Sequence, residues 1–283
     1  MADPATLRRH LRTELRRART QAGLTQREVA DALDWSPSKV LRIEGGQVAV
    51  STTDLKALLQ LYKIEDDDLV QRLASMARQS KQQPWSHYRD VISAEVAAYF
   101  GYEASAAIIR QFEPLIVPGL LQAEGYTKAL LRLAYHLNES TAERHVEVRQ
   151  ERQELLDREA PPEVFGILGE PVIRQMVGGP EVMRQQLRRL LELGAGPVTS
   201  IQIIPFTWDA HVGLRGSFTL LEFPEEGPPD LLYMESQSSA AVFLDADRET
   251  NRYLNYFWEL EAAALDRDES RELIAATLGR LDA

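Results

Sequence analysis

The sequence predicts a mainly helical chain with an α+β C-terminal domain: an N-terminal helical bundle, then a helical segment and a small, mostly antiparallel sheet packed with helices. Three observations predict it. Apolar residues recur at helical spacing through most of residues 7–158. Short runs rich in Ile, Val, Phe and Tyr, bounded by Gly and Pro, follow Pro161-Pro162. The charge is divided: residues 1–63 hold 11 basic and 7 acidic side chains, a net +4, within a chain of formal charge −11.

The 283 residues suit two domains. We place a bundle at 1–78, a linker at 79–90 where Gln79, Ser80, Lys81, Gln82 and Gln83 lead into Pro84, and the α+β domain at 91–283. Hydrophobic residues at 44% and charged residues at 27% exclude wholesale disorder. The absence of cysteine excludes disulfides, thiolate catalysis and cysteine-rich zinc modules. His10, His87, His136, His145 and His211 are scattered, with no HExxH, so neither metal nor cofactor is expected. No apolar leader follows the N-terminus, and apolar runs such as 115–117 fall short of the roughly 20 residues that span a bilayer. A cytoplasmic chain that starts where its gene does, with no membrane partner, is the expectation.

The first helix buries Leu7, Leu11 and Leu15 and turns Arg8, Arg9, Arg12, Arg16, Arg17 and Arg19 outward as a solvated face. Gly23 ends it. Thr25 with Glu28 three residues on forms a capping box for the second helix, with Leu24, Val29 and Leu33 inward and Ala30 small at a steep helix crossing. Asp34 sits at the turn. Ser36 caps a third helix with Pro37 at its first position, and Gly45-Gly46 stops it. Val40 and Ile43 face inward, which turns Ser38, Lys39 and Arg42 outward. A short polar-faced helix after a tight turn is how a helix-turn-helix presents its reading helix to the major groove.

A fourth helix is read at 52–62, and Asp66, Asp67 and Asp68 cap the next. Residues 91–158 read as three mostly helical segments, interrupted at Pro114, at Pro118-Gly119 and at 138–141. Strands are expected at 164–168, 200–205, 217–223 and 231–235, with a helix at 181–193 between the first two. Helices at 247–265 and 268–281 close the chain.

Leu24-Thr-Gln-x-x-Val-Ala-x-x-Leu, followed by Ser36-x-Ser38-Lys-Val-x-Arg-Ile-Glu-x-Gly, resembles the phage-repressor-like, xenobiotic-response-element type of helix-turn-helix across residues 6–63. The resemblance implies a five-helix DNA-binding domain. Asp34 stands where that family usually has a left-handed glycine, and Trp35 stands where an aliphatic is usual, packed against the core in our reading. Beyond it, Ile109-Arg-x-Phe-Glu-Pro-Leu-Ile-Val-Pro-Gly-Leu-Leu-Gln, Arg149-Gln-x-Arg-Gln-Glu-Leu-Leu, Gly178-Gly-Pro-Glu-Val-Met-x-x-Gln-Leu, Ile204-Pro-Phe and Gly216-x-Phe-Thr-Leu-Leu-Glu-Phe resemble the C-terminal domain of actinobacterial WhiJ-like regulators. That family's C-terminal domain has no assigned enzymatic activity. The resemblance implies a homodimeric, partner-controlled transcription regulator, its small partner protein encoded nearby and the pair sometimes antitoxin-like.

The expected DNA-binding residues are Thr25, Gln26, Ser36, Ser38, Lys39 and Arg42. Thr25 and Ser36 have a prior structural reading as helix caps. Ser38 suits phosphate or base edges, and Lys39 suits guanine acceptors or phosphate. Gln26 enters through the resemblance, as a phosphate and base-edge contact. Arg42 serves equally as a phosphate contact or as an internal ion-pair partner.

In the body, Phe112, Tyr126, Trp208, His211 and Tyr233 are candidates to line an effector or partner pocket, against the reading that such aromatics are core. An enzyme would pair His211 with Glu235 or Asp209, but Ser217, Ser236, Ser238 and Ser239 lack a GxSxG elbow, and the glycines at 166, 169, 178 and 179 match no nucleotide fingerprint. No enzyme is expected. The leading reading is a sequence-specific regulator of an operator in double-stranded DNA, controlled through the C-terminal domain by a small partner or effector. The alternative is an antitoxin-like protein that sequesters its small neighbour and binds DNA for autoregulation.

Overall fold

The structure is a computed structural model that describes residues 3–46, 48–82, 84–208, 212–225, 227–234, 242–244 and 247–282. His211, with Asp209, Glu235, Ser236, Ser238 and Ser239, lies outside the described residues. The chain divides into two compact units. The first comprises Met1–Arg89, Ala94–Ser105 and Pro224–Pro228, and the second Asp90–Ser93, Ala106–Phe223 and Pro229–Ala283.

The first unit begins with α1 (Pro4–Gln21), α2 (Gln26–Ala32), α3 (Pro37–Glu44), α4 (Thr52–Leu61) and α5 (Asp67–Gln79), the five expected helices. Local chemistry sets their ends. Thr25 and Glu28 close the reciprocal capping box, and the Ser36 hydroxyl accepts from the Lys39 amide with Pro37 inside the first turn. Asp34 takes the left-handed conformation at φ 55°, where its short polar side chain is tolerated. Leu11, Leu15, Val29, Val40, Ile43, Leu55, Leu58 and Leu73 form the core, and Leu24, Leu33 and Trp35 pack at its margin.

Two expectations are corrected here. The arginines of α1 are not a uniform solvated face: Arg9 is buried, with its guanidinium 5.9 Å from the Tyr102 ring centroid. The linker and boundary also differ. A sixth helix, α6 (Ala94–Glu103), belongs to the first unit. Thr6 Oγ1 donates to the Gly101 carbonyl (3.0 Å), and a Cβ on Gly101 would lie 2.1 Å from Asp3 Oδ1, so only glycine allows this approach. Within the supposed linker Ser80 and Tyr88 are buried, and Trp85 meets Phe100 edge-on at 5.1 Å.

The second unit is built on a six-stranded mixed sheet. Its elements are β1 (Ile108–Glu113), α7 (Glu124–Leu133), α8 (Glu139–Gln153), β2 (Glu163–Gly169), α9 (Pro171–Arg174), α10 (Pro180–Gly194), β3 (Thr199–Ile204), β4 (Phe218–Glu222), β5 (Leu231–Met234), β6 (Val242–Leu244), α11 (Asp247–Ala263) and α12 (Arg267–Asp282). Strand order is β3-β2-β1-β4-β5-β6. β1 runs parallel to β2, and β2 to β3, through helical crossovers; β4, β5 and β6 continue antiparallel. The sheet is therefore more mixed than the four predicted strands suggest, because β1, expected within a helical segment, lies at its centre.

Phe112, Ile167, Phe218, Leu220 and Leu232 pack one face of the sheet against Phe257 and Leu260 of α11. On the opposite face Gly166 lies against Leu121 and Ile201 against Gly194 of α10. The edge strand β3 is covered. The Ile203 amide donates to Ser270 Oγ and its carbonyl accepts from the Leu265 amide, both at 2.9 Å, which removes a pairing edge. No helix among the described residues is long and apolar enough to cross a membrane.

Candidate nucleic-acid interface

The third helix is fixed from inside the first unit. Val40 and Ile43 anchor it in the core, and Glu44, 4% exposed in its side chain, accepts at 2.7 Å from Nε of Arg19 on α1 and at 2.8 Å from Nε2 of Gln26 on α2. Arg19 also donates to the Leu24 carbonyl at 2.6 Å. One carboxylate thus ties the end of α3 to the end of α1 and the start of α2. Beside it the Tyr62 hydroxyl is pushed up to about 12, first by burial and then by the Glu44 charge, with Arg19 opposing.

This anchoring settles which side chains face outward. Ser38, Leu41 and Arg42 are exposed on α3, and Arg27 is exposed on α2. Among the described residues neither the Ser38 hydroxyl nor the Arg27 guanidinium has a partner, and Arg42 makes one long bond, from Nε to the Ser38 carbonyl at 3.3 Å. These groups have the chemistry of phosphate and base-edge contacts. Arg16 and Arg17 of α1 are exposed as well, whereas Arg19 is held by Glu44.

The other predicted contacts are engaged within the unit. Thr25 and Ser36 act as caps, and the hydrogen bond from the Thr25 amide holds the Glu28 carboxyl below its usual range. Gln26 donates to Glu44. Lys39 lies 2.6 Å from Asp54 Oδ1 on α4, with its ammonium 3.7 Å from the Trp35 ring centroid. Trp35 is partly buried against the core, and its ring faces the Lys39 ammonium. Sequence reasoning missed Arg27 and Leu41, for which the signal was present: both fall on the outward side of their helices once Val29 and Val40 are set inward.

In the second unit the C-terminal ends of the three parallel strands β1, β2 and β3 open into an apolar cleft of about 390 Å³. Phe112 and Ile204 lie at its floor, and Leu115, Phe206, Trp208 and Leu214 stand exposed around it. Of the five pocket candidates the structure brings together Phe112 and Trp208. Tyr126 is fully buried elsewhere, its hydroxyl accepting from the Val117 amide at 3.3 Å and its pKa raised by burial. Tyr233 is buried on β5 and does not line the cleft.

A second set of polar side chains clamps the turn between β1 and α7. Gln122 Nε2 donates to the Val117 carbonyl (2.7 Å), while Thr127 and Arg149 donate to Gln122 Oε1 (2.9 and 2.7 Å). Gln153 reaches the Gly119 and Gln122 carbonyls (both 2.9 Å), and Gln186 bonds the Leu121 carbonyl and the Ala123 amide. His145, close to Arg149, is lowered by burial and by that charge. Among the described residues no group of three or more His, Asp or Glu side chains is placed to hold a metal ion.

A capped α2–turn–α3 unit with its third helix anchored inward and cationic outward defines a DNA-binding helix-turn-helix protein. Residues 10–73 match the family model for a helix-turn-helix domain, and residues 96–276 match the model described as Domain of unknown function (DUF5753). The latter match covers more than half of the chain, and the chain belongs to that family. No curated protein and no solved structure matched it.

Proposed function

We propose that the chain is a sequence-specific transcription regulator of the WhiJ-like kind, which binds an operator as a homodimer and is controlled through its C-terminal unit by a small partner protein encoded nearby. The observation that carries the DNA reading is the outward face of α3, where the Ser38 hydroxyl has no partner among the described residues and Arg42 makes a single long bond, with the exposed Arg27 on α2 also without a partner among them. Two such faces related by a two-fold axis read half-sites one helical turn, or a multiple of it, apart.

Selection from a random duplex pool tests this reading. The full chain should enrich an inverted repeat, and Arg42→Ala together with Arg27→Ala should weaken binding and flatten its salt dependence, by roughly 0.9 log unit per log unit of salt for each phosphate left without its cation. Failure to enrich any sequence at low salt, with or without the neighbouring protein, refutes it.

The cleft of the second unit supports control through that unit. Four large apolar side chains exposed around one concavity are unusual for a surface that stays bare. The same cleft favours a second reading, in which a small apolar effector is the controlling ligand. Genome-wide mapping of bound sites with the neighbouring gene present and deleted separates the possibilities. Redistribution over many promoters supports a regulator under partner control, binding confined to its own promoter supports the antitoxin-like alternative, and no change with deletion favours an effector.

A further inference from the structure

Resting on the DNA-binding reading above, we infer that Leu41 is a specificity residue: it reads the C5-methyl group of a thymine in each operator half-site. Leu41 is 58% exposed, the most exposed large apolar side chain of the first unit among the described residues. It is absent from the packed core, although its neighbours Val40 and Ile43 are almost fully buried. It lies one turn beyond Ser38 and directly before Arg42, at the middle of the surface of α3 that faces outward.

The surroundings decide what covers it. A protein partner packing on Leu41 would strip water from the adjoining Arg42 guanidinium and Ser38 hydroxyl, and would have to supply acceptors for both beside an apolar contact. A major groove instead offers phosphates at its walls for the arginines and, on its floor, one apolar feature, the thymine methyl. Leucine has no donor or acceptor and cannot replace Ser38 or Arg42 in reading a polar base edge. The nearby Lys39 is held by Asp54 and Trp35, which leaves Leu41 rather than Lys39 projecting freely from the middle turn.

The test uses the operator selected by the wild-type full chain. Each thymine is replaced in turn by deoxyuridine, which removes only the methyl group, and affinity is measured by fluorescence anisotropy. At one thymine per half-site the replacement should weaken wild-type binding about fourfold, the worth of one buried methyl. Leu41→Ala should weaken binding by about as much on the unmodified operator and should no longer respond to deoxyuridine at that position. At the same position cytosine should bind worse than 5-methylcytosine to the wild type but not to Leu41→Ala.

Equal deoxyuridine effects in both proteins overturn the inference while leaving sequence-specific binding intact. Loss of self-association by Leu41→Ala in the absence of DNA also overturns it, because it assigns the side chain to a protein interface. If the wild type selects no sequence at all, the DNA reading itself fails. Leu41→Asn supplies a second variant that keeps the fold: an asparagine there should shift the preferred base at that position toward adenine, whose N6 and N7 it can bond.

Discussion

Replacing Glu44 by alanine removes the acceptor that joins three helices. The Arg19 side chain is 14% exposed and that of Glu44 4%, so the substitution leaves a largely desolvated guanidinium without its carboxylate and strands the Gln26 amide. Breaking a buried pair from one side costs about 3–5 kcal/mol. Arg19 keeps its bond to the Leu24 carbonyl, which puts the expected loss at the lower end, about 3 kcal/mol. Peptide-resolved hydrogen exchange on the full chain reads this directly: amides of α3 should lose about two orders of magnitude of protection, while the strands of the second unit stay unchanged. A double-mutant cycle with Arg19→Ala should then show strong coupling, because removing both charges leaves neither uncompensated. Exchange in α3 within fivefold of wild type, or strictly additive effects, would refute the claim that this carboxylate sets the position of the reading helix.

Three further outcomes follow from named side chains. Asp54→Asn frees the Lys39 ammonium and removes a negative charge beside α3, so DNA affinity should rise a few-fold at low salt and the log–log salt slope should steepen by about 0.9; an unchanged slope in anisotropy titrations would leave Lys39 outside the interface. Tyr62 has its pKa raised to about 12 in the fold and ionises near 10 when unfolded, so its contribution is complete below pH 10 and is lost as pH rises through 12. Tyr62→Phe should therefore lessen the alkaline loss of stability between pH 10 and 12 by up to roughly 2–3 kcal/mol, measured by urea unfolding across that range. Gly169→Ala would set a Cβ 2.7 Å from the Pro114 carbonyl oxygen, with other Pro114 backbone atoms at 3.2 and 3.3 Å, and backbone cannot step aside cheaply; thermal unfolding should show the second unit destabilised by several degrees or more while α1–α5 keep their protection.

The helix-turn-helix was legible because its determinants are local. Thr25 with Glu28, Ser36 with Pro37, and Asp34 at φ 55° each act within a few residues of themselves. β1 was not legible for the opposite reason. As the central strand of the sheet it has neighbours on both edges and cover on both faces, so Ile109, Gln111 and Phe112 are all buried and the alternation that marks a half-buried strand disappears. The docking of α6 on α1 depends on Gly101 meeting Asp3, far away in the chain, and leaves no periodic trace. The place of Lys39 on α3 points to DNA, and its partner Asp54 is invisible to that reasoning because it comes from another helix. Aromatic identity picked out Phe112 and Trp208, which line one cleft, but gave no sign that Tyr126 and Tyr233 are buried away from it.

The sequence signatures of the second unit divide by what their side chains do. Gln122, Arg149, Gln153 and Gln186 bond backbone groups of residues 117–123 or one another, and that turn sits against Gly166 in the centre of the sheet. A turn whose backbone carbonyls are this deeply placed must find donors, because each unsatisfied buried carbonyl costs roughly 1–3 kcal/mol. These four side chains are therefore accounted for by folding alone. The Ile204-Pro-Phe signature differs: Ile204 lies at the floor of the cleft and Phe206 stands exposed at its rim, with the Phe206 amide donating to Glu170 Oε2 at 2.8 Å. Glu170 is in turn held by Arg174, so an internal ion pair fixes an exposed aromatic at the mouth of an apolar hollow. Folding alone gives no reason to fix an exposed phenylalanine there, which supports the proposal that this cleft receives a partner or effector.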